Sequence, residues 1–214
     1  MQVLRCAVFS ISILIFTVLH RGTAIVGAQV SSPGPAVAIR GKIVAYTEPA
    51  LSVATNAGQV SVKLTSATSI VGEVPANLTD ITQGVFVGAS AQKQADGTFR
   101  AAQINIFREE ERGLSEGHRP QTSLPSHTMT NATVETIENL TVQDVNGRML
   151  TLRFKDGEVK VFVPPTTPIM KRVSGSRDML KPGAELRVQG THGEDGAILA
   201  QGIIVSANPT APVK

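Results

Sequence analysis

The stretch "LTLRFKDGEVKVFV" (residues 150–163) decides the fold. Leu150, Leu152 and Phe154 alternate with Thr151 and Arg153, and Val159, Val161 and Val163 resume the alternation beyond Asp156-Gly157. A period of two sends one side chain into a core and the next into water, as a half-buried strand requires. Asp-Gly joins two such strands because these residues accept the positive φ of a tight hairpin turn. The stretch therefore predicts an antiparallel hairpin.

Working outward, Val60, Val62 and Leu64 alternate with Ser61 and Lys63, and Asn146-Gly147, Asp96-Gly97 and Asp195-Gly196 read as further hairpin turns. No long stretch carries helical periodicity; residues 77–83 and 176–181 offer one short helical turn each. The pattern also repeats. "LSVATNAGQVSVKL" from Leu51 is similar to "LTVQDVNGRMLTLRF" from Leu140. "DITQGVFVGASAQKQADGTFRAAQINI" from Asp80 is similar to "DMLKPGAELRVQGTHGEDGAILAQGIIV" from Asp178. An antiparallel sheet of about five short strands removes its exposed edges by curling into a small barrel, as the OB-fold does. The predicted fold class is all-β: two small five-stranded OB-like antiparallel barrels in tandem, at 38–107 and 131–208. Residues 66–83 and 164–183 supply the longer connection between third and fourth strands. One continuous sandwich over both halves is the rival arrangement.

The first residues are set apart. Arg5 precedes an apolar run at 6–19, and small residues follow, ending in Val26-Gly27-Ala28. This order describes a secretory signal peptide at 1–28, and the run is shorter than the roughly 20 residues a membrane span needs. An uncleaved anchor with His20 and Arg21 at the membrane surface is the competing reading. A periplasmic or secreted location follows, with no integral span after cleavage. A flexible segment at 29–37 and a tail at 209–214 flank the barrels.

Removing the leader changes the charge argument. The full chain has 20 Lys+Arg and 17 Asp+Glu; without Arg5 and Arg21 the mature chain carries 18 against 17, a formal +1. A nucleic-acid partner calls for a clustered basic excess, which is missing. Cys6 is the only cysteine, so the mature chain of 186 residues has no disulfide or thiolate ligand and depends on packing. Trp is absent and Tyr46 is the only tyrosine, which leaves few platforms for stacking sugars or bases.

The combination resembles the family of domains of unknown function 5666. The residues that carry the resemblance are Gly41-Lys42-Ile43, Leu51-Ser52-Val53, Val60-Ser61-Val62, Thr68-Ser69-Ile70, the Asp80 to Gly84 start, and Asp96-Gly97 followed by Ala102-Gln103-Ile104. The second half departs at Pro164-Pro165 and has no glycine opening its first strand. The resemblance implies small OB-like barrels in an exported bacterial protein and implies no activity.

Candidate sites are sparse. Between the halves, residues 108–130 hold Glu109, Glu110, Glu111, Glu116, His118 and His127, interrupted by Gly113, Gly117, Pro120 and Pro125. Glu116, His118 and His127 are the candidate ligands for a divalent metal, but their spacing matches no metal motif such as H-E-x-x-H. The alternative is a linker or ordered loop whose arginines pair with its glutamates. No nucleophile elbow or phosphate loop occurs, and Glu48, Asp80, Glu138 and Asp178 are carboxylates by type only; the chain reads as no enzyme and as needing no organic cofactor. Phe86, Phe107 and Phe162 fall on the outward side of their strands. They are the candidate contacts for an envelope protein or polymer, or for packing between barrels.

Overall fold

The computed structural model describes residues 34–122, 124–142, 145–193 and 195–206. The expected signal peptide, residues 29–33 and the tail lie outside them. The described chain is all-β. Its first half forms β1 (Ala36–Thr47), β2 (Ala50–Thr55), β3 (Gly58–Lys63), β4 (Ser69–Pro75), β5 (Phe86–Lys93) and β6 (Phe99–Ile106). A short β7 (Gly117–Pro120) precedes the second half. There follow β8 (His127–Val142), β9 (Val145–Phe154), β10 (Gly157–Val163), β11 (Ile169–Ser174), β12 (Glu185–His192) and β13 (Ile198–Ser206). The only helical elements described are single 3-10 turns at Leu78–Asp80, Glu109–Glu111 and Arg177–Met179, two of them where short turns were expected. Among the described residues no helix is long and apolar enough to cross a membrane.

Pairing closes two rings of strands, and each ring draws on both halves of the sequence. In the first ring β1 pairs with β2, β2 with β3, β3 with β13, β13 with β12 and β12 with β1. In the second, β8 pairs with β9, β9 with β10, β10 with β6, β6 with β5 and β5 with β8. Each half thus supplies three strands to one ring and two to the other. Strands β4 and β11 carry the chain across, running antiparallel to one another with Gly72 opposite Val173. They dock in parallel on β13 and β6 respectively. The expected division at 38–107 and 131–208 follows the sequence repeat; the hydrogen bonding does not follow it.

The apolar alternation explains the rings. One buried cluster holds Val87 and Ala89 of β5, Ile104 of β6, Val134 of β8, Leu150 and Leu152 of β9, and Val161 and Val163 of β10. The other holds Ile43, Leu51, Val53 and Val62 from the first half with Leu186, Val188, Ile198 and Ile203 from the second. Fully burying each such side chain contributes about 1.5–3 kcal/mol, so neither core survives with one half alone.

The rings correspond residue by residue, and their bulges fix the correspondence. A bulge at Ile43/Ala45 in β1 answers one at Val134/Thr136 in β8, and one at Ser90/Ala91 in β5 answers one at Gln189/Gly190 in β12. Ile43 faces Val53 as Val134 faces Leu152. Leu51 therefore corresponds to Leu150, and the expected match of Leu51 with Leu140 is corrected. Asn146-Gly147, expected as a hairpin turn, lies inside β9, opposite Thr141 and Leu140. Where the expected turns hold, Gly97 and Gly196 occupy φ +86° and +77°, values that cost glycine nothing.

The charged segment between the halves is folded over the second ring. β7 pairs with β8 from Gly117–Asn131 to Pro120–Thr128. Arg112 donates to the Gly84 carbonyl at 2.9 Å and to Thr133 Oγ1 at 3.2 Å, and Asn131 Nδ2 donates to the Leu114 carbonyl at 3.0 Å. The strap covers the outer face of β5, where Phe86, Gly88 and Ser90 are buried. The corresponding positions of β12 are Glu185, Arg187 and Gln189, a polar set that needs no cover. An apolar outer face on one ring and its cover in the adjoining linker are one design.

Candidate functional site

The strap does not gather its expected ligands. His118 is half-buried, with its ring edge-on to Phe99 at 5.0 Å and stacked on Phe154 at 6.3 Å. Its Nδ1 lies 2.8 Å from Thr130 Oγ1. Burial, with the charge of Lys93, pushes its pKa down, so the neutral ring is favoured. His127 Nδ1 lies 3.1 Å from the Pro125 carbonyl, and Glu116 is exposed. Among the described residues no three His, Cys, Asp or Glu side chains converge as metal ligands.

Of the strap's glutamates, Glu111 serves packing. Glu111 accepts from Arg108 Nε at 3.2 Å and from Arg172 Nη1 of β11 at 2.8 Å. Burial pushes the Glu111 carboxyl up, but hydrogen bonds and charge from Arg172, with Arg108, outweigh it and hold the pKa below the ordinary value. Arg172 in turn lies 4.2 Å over the Phe107 ring, which meets Phe86 at 5.4 Å. Phe86, expected at an exposed face, is 2% exposed because this strap covers it. Phe162 is 3% exposed, under the Arg100 guanidinium at 5.6 Å. Neither presents a free apolar patch.

A cleft elsewhere on the second ring is the better candidate. Its volume is about 500 Å³, and it opens between the β5–β6 turn and the base of the β8–β9 hairpin. Arg100, Phe162, Met149 and Glu138 form one cross-strand row over β6, β10, β9 and β8, each paired in register with the next. Lys160, two residues along β10 from Phe162, and Leu140, two residues beyond Glu138 on β8, complete the lining with the Asp96 turn. Side chains two apart on a strand share a face, which is why the alternation that buries Val161 and Val163 turns Lys160 and Phe162 outward. Asp96 accepts from Thr98 Oγ1 at 2.6 Å and Thr98 N at 2.9 Å, and these bonds, side chain first, lower its pKa.

Two differences separate this corner from its counterpart on the first ring. Asp195 corresponds to Asp96, but Lys63 of β3 forms an ion pair with it, and that bond, with the Ala197 N–H, lowers its pKa. Register places Phe162 where Lys63 stands and Arg100 where Leu199 stands. The second difference is length. The β1–β2 pairing ends at Thr47–Ala50, which corresponds to Glu138–Met149; beyond it β8 and β9 add four pairs, from Asn139–Arg148 to Val142–Val145. This overhang, anchored by Arg148 Nη1 donating to the Leu78 carbonyl at 2.9 Å, walls the cleft. Sequence reasoning missed it because Asn146-Gly147 looked like a turn; the longer spacing from Val134 to Leu152 than from Ile43 to Val53 was the available signal.

A family model, the domain of unknown function DUF5666, matches residues 40–105 and 141–203. The chain belongs to the DUF5666 family. The two matched segments are consistent with two copies of the domain, as the resemblance implied. Each DUF5666 segment here spans strands of both rings, so the unit of sequence is not the unit of closure. No curated protein and no solved structure matches the chain.

Proposed function

We propose that the two rings are small OB-like β-barrels and that the chain is an exported, non-catalytic binding module of the bacterial envelope, acting through the cleft of the second barrel. The ring order supports the barrels: three consecutive strands closed by a returning hairpin is the partly open Greek-key arrangement of an OB-fold. The leader-like composition of residues 1–28 supports export.

One observation carries the binding reading. Of two register-equivalent corners, the first is filled by the Lys63–Asp195 pair, and the second is opened by Phe162 and walled by an added hairpin. Structural need alone would treat both corners alike. A wide groove with a few convergent polar groups is where a ligand is held. Glu138 and Asp96 in the lining disfavour a phosphate backbone, so the partner is an envelope protein or polymer.

Amide chemical shifts of the labelled protein, titrated with a library of small fragments, test this. Shifts should concentrate at residues 94–100, 138–140, 149 and 160–162. Fragments that instead gather at Lys63 and Asp195, or scatter evenly, contradict the assignment. Deleting residues 1–28 should move the protein from the envelope fraction to the cytoplasm; unchanged fractionation contradicts export.

A further inference from the structure

Resting on the cleft as a binding site, we propose that its ligand is an extended polypeptide segment of mixed charge. The segment lies across the strands, with an acidic side chain at Arg100 and Lys160 and a basic one at Glu138. The cross-strand row supplies the argument. Arg100 and Glu138 are separated by β10 and β9, and adjacent strands lie about 4.8 Å apart, so the two charges stand about 14 Å apart along the row. An extended chain covers that distance in about four residues. Between the charges the open apolar surface is Leu140, 41% exposed, while Phe162 and Met149 lie buried beneath. Leu140 suits an apolar side chain between charged ones.

Other ligand classes fit less well. A sugar needs an open aromatic face, but Phe162 is 3% exposed and lies beneath Arg100. A polyanion meets Asp96 and Glu138. An acyl chain needs an enclosed apolar cavity, and this lining alternates charge with carbon. Arg100, Lys160 and Glu138 form no ion pair within the described chain, so opposite charges on a partner complete them.

The test is selection from a displayed library of random linear heptapeptides on the immobilised protein, with polygalacturonate titrated separately by calorimetry. Enriched peptides should carry acidic and basic residues about four positions apart with at least one apolar residue between. Arg100→Glu should weaken a selected peptide about tenfold or more, and Arg100→Glu combined with Glu138→Lys should favour peptides of reversed charge order. Circular dichroism confirms that both variants fold. Peptides that bind independently of these residues overturn the proposal. Polygalacturonate binding that is lost in Arg100→Glu, without peptide enrichment, overturns the peptide and leaves the cleft as a site. Failure of every ligand to perturb the cleft removes both.

Discussion

Lys63 and Asp195 form an ion pair although 132 positions separate them in sequence. Their register counterparts, Phe162 and Asp96, cannot form one. The pair is possible only because β13 and its turn close on β3, a strand of the other half. Reciprocal exchange of strands is thus written into a single side-chain contact as well as into the ladders.

The pair itself adds little to stability. Its side chains are 45% and 51% exposed, and an exposed pair is screened by water and salt. Lys63→Ala is expected to leave the urea midpoint of unfolding unchanged, while Asp195 titrates closer to its ordinary value by NMR. A clear fall in the midpoint would show that the contact holds the exchange together.

Because each half bridges both rings, the rings should lose stability together. Leu51→Ala in the first core and Leu150→Ala in the second should each cost about 2–5 kcal/mol. Each should lower one common transition when unfolding is followed by circular dichroism. Two resolved transitions, with each variant moving a different one, would indicate independent rings.

The Glu111–Arg172 pair predicts acid sensitivity with a definite sign. The folded-state pKa of Glu111 is depressed, so its contribution is present above its unfolded value near 4.5 and is lost as pH falls through the folded value. Glu111→Gln should destabilise the protein at pH 7 and flatten the decline of stability below about pH 4.5. An unchanged acid limb would mean that other carboxylates carry it.

His118 works in a higher window. Its folded pKa lies below the ordinary 6.5, so the strap is most stable above that value and weakens as pH falls below it. Amide protection at Gly117–Arg119, measured relative to intrinsic exchange at each pH, should fall between pH 6.5 and 5, and His118→Gln should remove that dependence. Constant protection across the window would contradict this.

Gly147 permits the overhang to sit on the sheet. A Cβ there would stand 2.7 Å from Phe162 ring atoms and 2.7 Å from the Val163 carbonyl oxygen. Gly147→Ala is expected to cost about 1–3 kcal/mol and to weaken any ligand of the cleft. Thermal unfolding checks the first part, and a stability unchanged from the parent contradicts the packing.

Strand class and core faces were legible in the residues. The alternation of Leu150, Leu152, Val161 and Val163 decides both, because burial on one side of a strand leaves a direct mark on composition. Partner choice leaves none. β13 offers Ile198 to the first ring with the same kind of apolar face that β6 offers to the second through Ile104, and the alternation does not say which ring either strand enters. The same limit hid the cleft. The alternation that sends Val161 and Val163 into the core turns Phe162 away from it, but Arg100 above it and the β8–β9 overhang beside it come from distant strands. Phe86 was likewise outward, and the strap that covers it follows it by some twenty residues, a contact that periodicity does not encode.

The most direct test of the exchange uses paired cysteines in the chain with Cys6 replaced by serine. Ala38 lies opposite Gln189 across β1 and β12. Within its own half, the register-equivalent partner would be Ser90, which instead faces Met129. Mild oxidation should cross-link Ala38→Cys/Gln189→Cys within one chain on a non-reducing gel and leave Ala38→Cys/Ser90→Cys unlinked. Efficient linkage of the second pair and none of the first would show that each half closes on itself.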